Sequence, residues 1–123
     1  MLLVDDSAFF RNMLAPVLKA AGYKVRTAPN AQVGLAALRS GQSFDVVLTD
    51  IEMPDMNGFE FAEHIRSDHN LDRMPIIALS AMVSPAAIER GRQAGFHDYV
   101  AKFDRPGLIA ALKEQTADVK HAA

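Results

Sequence analysis

The sequence predicts an α/β protein in which one five-stranded parallel sheet is covered by helices on both faces. Short apolar runs alternate five times with longer amphipathic segments along the 123 residues. Two of these runs, Val46–Leu48 and Ile76–Leu79, are almost continuously apolar, which is typical of parallel strands buried on both faces. The segments between the runs are long enough for the right-handed crossovers that connect parallel neighbours.

The apolar runs also predict the strand positions and the order of the sheet. Consecutive β-α units in a chain of this size indicate the flavodoxin-like doubly wound fold with strand order 2-1-3-4-5, in which ligands bind at the carboxyl ends of strands 1 and 3. Residues 1–123 are expected to form a single domain, and the short first strand suggests a domain excised from a longer chain. The predicted strands are Met1–Val4, Tyr23–Thr27, Phe44–Thr49, Pro75–Leu79 and Asp98–Ala101.

Each intervening segment carries residues that favour a helix start. Ser and Asn side chains accept hydrogen bonds from the first turn, and proline suits the first helical position. Pro16 lies inside the first segment, so we expect it to kink that helix or end it early. The predicted helices extend from about Ser7 to Ala21, from Asn30 to Arg39, onward from Asn57, onward from Ser84, and from about Asp104 to Thr116.

The composition limits the classes of function. The chain has no cysteine, which excludes disulfides and thiolate chemistry and agrees with a cytoplasmic location. Its formal net charge is −2 and no long basic tract is present, so neither nucleic acid nor a membrane surface is expected as a partner. No apolar run approaches the length of a membrane-spanning helix.

Polar residues follow four of the predicted strands. Asp5 and Asp6 follow the first strand, Asp50 the third, Ser80 the fourth and Lys102 the fifth. Because parallel strands end at the same edge of a sheet, these side chains are expected to converge.

Three neighbouring carboxylates repel one another, which either raises a pKa or favours a bound divalent cation. Oxygen ligands without cysteine or histidine suit Mg²⁺. An aspartate can also act as a nucleophile and form an acyl phosphate, and phosphoryl transfer mainly requires positioning and charge neutralisation. Lys102 offers the cation and Ser80 a hydroxyl for such a reaction.

Four motifs in register resemble those of two-component response-regulator receiver domains. They are Asp5–Ser7, Asp50–Gly58, Ala78–Ala81 and Tyr99–Lys102, and their order and spacing match that family over nearly the whole chain. The opening residues Asp5–Arg11 and the closing residues Ala101–Arg105 look most like receivers of chemotaxis systems, including those fused to chemotaxis histidine kinases.

The resemblance implies a phosphoryl-accepting switch that catalyses only its own phosphorylation and dephosphorylation. Asp50 would be the phosphoacceptor and Lys102 the phosphoryl-binding cation, and Ser80 and Tyr99 would be the switch residues. Metal ligands would be Asp6 and Asp50 directly, Asp5 through water, and the backbone carbonyl of Glu52. The donor would be a sensor histidine kinase or a His-phosphotransfer domain, and the altered surface of helix 4, strand 5 and helix 5 would be recognised by a downstream protein or an attached domain.

Two alternatives belong to other classes. A haloacid-dehalogenase-type phosphatase also uses an aspartate nucleophile and Mg²⁺, but it places the nucleophile after the first strand and normally carries a cap. A phosphorylation-independent binding module on a receiver scaffold is the other alternative, and the intact acidic triad argues against it.

Two further expectations concern neighbours of these residues. Glu52 and Met82 flank the predicted path of the attacking water, so both are expected to affect the lifetime of the phosphorylated state, with the sign for Glu52 open. Phe103 follows Lys102 where most receivers have a proline after a cis peptide bond. A cis bond before a residue other than proline costs roughly 3–4 kcal/mol, so a trans bond is expected here.

Overall fold

The computed structural model describes the backbone of residues 1–122 and the side chains of residues 1–116. Five strands alternate with five helices, as the sequence predicts. In chain order the elements are β1 Leu2–Val4, α1 Ala8–Ala20, β2 Arg26–Ala28, α2 Ala31–Leu38, β3 Val47–Asp50, α3 Gly58–Ser67, β4 Ile76–Ser80, α4 Pro85–Ala94, β5 Asp98–Ala101 and α5 Arg105–Ala122.

The strands form one parallel sheet in the order β2-β1-β3-β4-β5, which confirms the predicted flavodoxin-like topology. β1 and β3 lie side by side at the point where the chain reverses its direction of winding. β3 and β4 pair in register, with Asp50 opposite Leu79. Asp50 and Ser80 therefore end adjacent strands at the same edge of the sheet.

Alternate residues of each strand supply two apolar cores, one on each face. Leu3 and Leu48 face the layer formed by α1 and α5, where they join Phe10, Leu18 and Leu112. The other face is covered by α2, α3 and α4, and its core includes the following buried residues: Leu2, Val4, Val47, Leu35, Phe61, Ile65 and Ala94. Burial of apolar side chains on both faces explains the nearly continuous hydrophobic runs.

The predicted caps form, and they set where the helices begin. The side chains of Ser7, Asn30 and Ser84 each accept a hydrogen bond from the backbone three residues later. Asn57 and Glu60 form a reciprocal capping box. These bonds satisfy backbone donors that have no partner within the helix.

Several boundaries differ from the prediction. β2 begins only at Arg26, where the register with β1 starts, and the preceding Tyr23 and Val25 pack against the apolar core. α1 continues through Pro16 to Ala20, so the expected early end is not observed. α5 extends past Thr116 to Ala122, since no glycine or proline interrupts that segment.

None of the helices in the described part of the chain combines the length and the apolar character that a membrane span requires. All peptide bonds among the described residues are trans, including the one between Lys102 and Phe103, which confirms that expectation. Phe103 is 72% exposed, and its ring lies perpendicular to that of Phe10, with the centroids 5.9 Å apart.

Candidate functional site

Asp5 is the buried member of the acidic pair that follows β1. It is 0% exposed, and its Oδ1 accepts a hydrogen bond of 2.8 Å from the backbone N–H of Ser7. The Arg11 guanidinium of α1 donates a hydrogen bond to the backbone carbonyl of Asp5 and so fixes the turn that follows β1. Asp6 is exposed beside it. The pair thus offers one fixed carboxylate and one accessible carboxylate.

Asp50 is the last residue of β3, and it is only 3% exposed. Its Oδ1 accepts a hydrogen bond of 2.9 Å from the backbone N–H of Ile51. The loop after it returns closely, because a Cβ atom at Gly58 would lie 2.5 Å from the Asp50 carbonyl oxygen and 2.8 Å from Ile51 Cα. Only glycine permits this approach, which places the start of α3 directly against the Asp50 backbone.

Lys102 reaches the acidic residues from the end of β5. Its Nζ lies 2.9 Å from Asp5 Oδ2 and 3.4 Å from Asp50 Oδ2, and its side chain is 14% exposed. The same Nζ lies 4.3 Å from the centre of the Phe10 ring, within the range of a cation–π interaction. Burial lowers the pKa of Lys102, but hydrogen bonding and attraction to Asp5 and Asp50 outweigh it and hold the pKa above the usual value for lysine.

The charges around Asp50 are unbalanced. Burial raises the pKa of Asp50 to about 7, and the carboxylates of Asp5 and Glu52 add to this increase, whereas Lys102 opposes it. One ammonium group therefore does not neutralise the carboxylates that surround it. An additional positive charge would favour the ionised form of Asp50, which is the nucleophilic form.

The acidic residues fit a hard divalent cation. Asp5, Asp6 and Asp50 each offer a carboxylate oxygen, and these oxygens lie within 4.8 Å of one another. Asp5 Oδ2 is buried, and its partner among the described residues is the Lys102 ammonium group, 2.9 Å away. Carboxylate oxygens with no nitrogen or sulfur ligand match the preference of Mg²⁺.

Ser80 and Tyr99 are connected through the segment that follows β4. The Ser80 hydroxyl donates a 2.7 Å hydrogen bond to Glu52 Oε1 and accepts a 3.0 Å bond from the backbone N–H of Met82. The backbone carbonyl of Met82 accepts a 3.0 Å bond from the Tyr99 hydroxyl. The Tyr99 ring also packs against Gly91 of α4, where a Cβ atom would lie 2.9 Å from Tyr99 Cδ2.

The structure brings together Asp5, Asp6, Asp50 and Lys102, and it places Ser80 at the end of the neighbouring strand. Two contacts were missed by sequence reasoning: the ring of Phe10 against Lys102 and the side chain of Glu52 on Ser80. The contact between Glu52 and Ser80 could have been predicted, because pairing of β3 with β4 places the residues after Asp50 next to Ser80.

Two of the similar curated proteins are much longer than this chain. The gliding motility regulatory protein of Myxococcus xanthus is 35% identical over 82% of the chain, and the sensor histidine kinase CheAY of Helicobacter pylori is 34% identical over the same share. In each case the matched region spans 13% of the relative's length.

Solved structures match over almost their full length. The chemotaxis protein CheY4 of Vibrio cholerae is 34% identical with a TM-score of 0.85, and the match covers 92% of this chain and 94% of that one. The receiver domain of the sensor histidine kinase PA1611 from Pseudomonas aeruginosa is 31% identical with a TM-score of 0.82 over 94% and 95% of the two chains. That structure has a magnesium ion coordinated in its active site cleft.

The family model for the response regulator receiver domain matches residues 1–113, which is most of the chain. The resemblance noted in the four motifs is thereby confirmed, including its chemotaxis-type members. Together with the strand order and the acidic residues at the carboxyl edge, the match establishes that this chain belongs to the response regulator receiver domain family, the phosphoacceptor domains of two-component signalling.

Proposed function

We propose that Asp50 accepts the phosphoryl group and that Asp6, Asp50, a water held by Asp5, and the backbone carbonyl of Glu52 bind Mg²⁺. The observation that carries this proposal is the unbalanced charge around Asp50, which is buried beside Asp5 and has a pKa of about 7. The magnesium ion in the similar PA1611 receiver domain supports the choice of metal. When bound, Mg²⁺ would supply positive charge to the carboxylates and to the phosphoryl oxygens.

The transfer we propose starts from a phosphohistidine of a sensor histidine kinase or of a His-phosphotransfer domain. The ionised Asp50 carboxylate attacks phosphorus, an O–P bond forms as the N–P bond breaks, and the histidine imidazole leaves with the electron pair of that bond. Lys102 is already placed beside Asp50 and would bind a phosphoryl oxygen. Dephosphorylation by water regenerates Asp50, so the domain acts on its own phosphate and not on a separate substrate.

The output we propose is a change in the surface formed by α4, β5 and α5. Ser80 would move toward the phosphoryl group and Tyr99 would follow it inward, which shifts an existing equilibrium between two states. A downstream protein or an attached domain would recognise that surface by protein–protein contact in the cytoplasm. The single domain of residues 1–123 would then serve as a switch within a chemotaxis-type phosphorelay, whether alone or as part of a longer protein.

The phosphoacceptor can be tested with acetyl phosphate and Mg²⁺. Intact-mass spectrometry should show the addition of one phosphoryl group to the wild-type chain and none to Asp50→Asn. Asp55→Asn is the matched control, because Asp55 lies in the same loop outside the carboxylate cluster. Its φ of +67° also suits asparagine. Undiminished labelling of Asp50→Asn would show that Asp50 is not the phosphoacceptor. Steady hydrolysis of a phosphomonoester by the wild-type chain would favour the alternative that the protein is a phosphatase.

Lys102→Ala tests the role of the cation. We expect this variant to lose most of the phosphorylation-dependent change in partner binding while it still unfolds cooperatively, because Lys102 lies outside the apolar cores. The measurements are partner affinity with and without phosphorylation, and a thermal melt followed by circular dichroism. Normal switching of the variant would contradict the assignment.

A further inference from the structure

The hydroxyl group of Ser80 has both of its hydrogen-bonding functions in use. It donates to Glu52 Oε1 over 2.7 Å and accepts from the backbone N–H of Met82 over 3.0 Å. A hydroxyl carries one hydrogen, so it donates to one strong acceptor at a time. Ser80 therefore cannot donate to a phosphoryl oxygen on Asp50 while it remains bonded to Glu52.

The acceptor on Glu52 is well suited to hold this hydroxyl. A carboxylate makes a shorter and stronger hydrogen bond than a neutral acceptor, and the distance of 2.7 Å lies within the range of such bonds. Ser80 itself is completely buried, whereas Glu52 is exposed. The bond thus joins a fixed residue of the sheet to a side chain that can swing into solvent, and it can be broken without disturbing the core.

The same hydroxyl is connected to Tyr99 by a single residue. Met82 donates its N–H to Ser80 and accepts at its carbonyl from the Tyr99 hydroxyl over 3.0 Å. The side chains of Ala81, Met82 and Val83 are exposed, so little packing holds this segment in place. The position of Ser80 therefore affects the backbone of Met82, and through it the bond to Tyr99.

We propose that Glu52 is a positioning residue. Its side chain holds the hydrogen-bonded series Ser80–Met82–Tyr99 in the unphosphorylated arrangement. Formation of the phosphorylated arrangement must break the bond between Ser80 and Glu52. The inference rests on the proposed function of Asp50. It adds the direction in which Glu52 acts, because its side chain opposes activation. Removal of the acceptor should shift the equilibrium toward the activated state by about 3- to 10-fold, the range expected for one hydrogen bond.

The test uses beryllofluoride in the presence of Mg²⁺ as a stable substitute for the phosphoryl group. The backbone amide of Met82 is followed by ¹H–¹⁵N NMR, because that group is bonded to Ser80 and reports its position. Glu52→Ala should bind beryllofluoride about 3- to 10-fold more tightly than wild type. Its Met82 amide signal without ligand should lie closer to the position seen in the wild-type complex. Glu52→Gln should be intermediate, since its carbonyl still accepts but carries no charge.

A second mechanism would also tighten binding, because Glu52 is anionic and repels the phosphoryl group. The two mechanisms separate in the Ser80→Ala background. If Glu52 acts through Ser80, Glu52→Ala should have little effect on beryllofluoride affinity once the hydroxyl is absent. If it acts only by repulsion, the gain should be the same in both backgrounds. The substitution leaves the backbone carbonyl of residue 52 in place, so the proposed metal ligand is retained.

Asp55→Asn is the control for the loss of one negative charge from the same loop, and it should leave the Met82 amide unchanged. An equal beryllofluoride affinity in wild type and Glu52→Ala, or a gain that persists in the Ser80→Ala background, would overturn the role of Glu52 while the proposed function stands. Failure of the wild-type chain to bind beryllofluoride would overturn the proposed function, and the role of Glu52 with it.

Discussion

A partly buried cationic side chain lies at each edge of the sheet: Lys102 at the carboxyl edge, where the strands end, and Arg66 at the amino edge, where they begin. The two cations have different kinds of partner. At the carboxyl edge, Lys102 lies between two carboxylates, those of Asp5 and Asp50. At the amino edge, the Arg66 guanidinium donates to uncharged backbone carbonyls of Gly95, Asp72 and Met74 at 2.7 to 3.0 Å.

The carbonyls around Arg66 include one at the end of a helix. Gly95 is the C-cap of α4, and the last carbonyls of a helix have no partner within it. Arg66 therefore joins α3 to the end of α4 and to the segment before β4, with its donors and their acceptors matched.

The arrangement around Lys102 is incomplete by comparison. One ammonium group serves two buried carboxylates, and burial beside Asp5 raises the pKa of Asp50 to about 7. Excess negative charge of this kind costs stability in the free protein and is relieved by a cation. The two edges thus differ in the partners of the cation: carboxylates surround Lys102 beside the proposed phosphoacceptor, whereas backbone carbonyls surround Arg66.

The largest expected effect on stability is at the amino edge. Arg66→Ala should lower the free energy of unfolding by about 3 kcal/mol, because several carbonyls lose a charged donor and hydrogen bonds to charged groups contribute roughly 1.5–3 kcal/mol each. Urea denaturation measures the change. Arg73→Ala, at an exposed arginine of the neighbouring segment, should change stability by less than about 0.5 kcal/mol. Equal stability of Arg66→Ala and wild type would remove the structural role of this cluster.

At the carboxyl edge, a substitution should increase the free energy of unfolding. Asp50→Asn should raise the free energy of unfolding at pH 8 by about 2 kcal/mol in buffer that contains a chelator, because the substitution removes a buried charge that Lys102 only partly neutralises. Asp55→Asn is again the control and should have little effect. A loss of stability in Asp50→Asn would show that Asp50 supports the fold, and the contrast between the two edges would fail.

The same variant should change the pH dependence of stability. The pKa of Asp50 is about 7 in the folded protein and near its ordinary value in the unfolded chain, so the folded state binds the extra proton between these values. The contribution of Asp50 to stability therefore falls as pH rises from about 4 to about 7 and is constant above that range. The difference between wild type and Asp50→Asn should grow over the same interval, and a flat difference would contradict the raised pKa.

The smallest expected effect concerns His97 at the amino edge. Its Nδ1 accepts a hydrogen bond from the backbone N–H of Ile76 and lies 3.1 Å from Arg66 Nη2, so this nitrogen carries no proton. Burial lowers the pKa of His97, and the charge of Arg66 lowers it further.

Because the folded pKa of His97 is the lower one, its contribution to stability is present above about pH 6.5 and is lost as pH falls below that value. His97→Asn keeps an acceptor without a titrating ring, so its melting temperature should depend less on pH between 5 and 7. The prediction would be contradicted if the melting temperatures of wild type and His97→Asn changed equally with pH over this range.

The sequence predicted the carboxyl edge better than the amino edge for a physical reason. Asp5, Asp50 and Lys102 each follow a recognisable strand, and parallel strands bring their ends together whatever the details of packing. Arg66 shows no such signal, since its Gly95 acceptor lies 29 residues away and is a backbone atom. The Glu52–Ser80 bond is intermediate, because it depends on the register of β3 with β4 and on the rotamers of two side chains.

The start of β2 was missed for a related reason. Tyr23 and Val25 are apolar enough to resemble strand residues, and both contribute to the core. Strand pairing, however, requires the backbone to lie beside β1, and the register begins only with Leu2 opposite Arg26. Hydrophobicity reports burial, and burial does not distinguish a strand from the loop that enters it.

The close approach of Gly58 to Asp50 has a mechanical consequence. α3 has 10 residues and is therefore about 15 Å long. Gly58 fixes its first turn against the backbone of Asp50 and Ile51, while Arg66 ties its last turn to the carbonyls of the amino edge. With both ends of the helix fixed, we expect α3 to keep its position when a phosphoryl group is added at Asp50. The exposed segment 81–83 would then take up the displacement, so motion should travel toward α4.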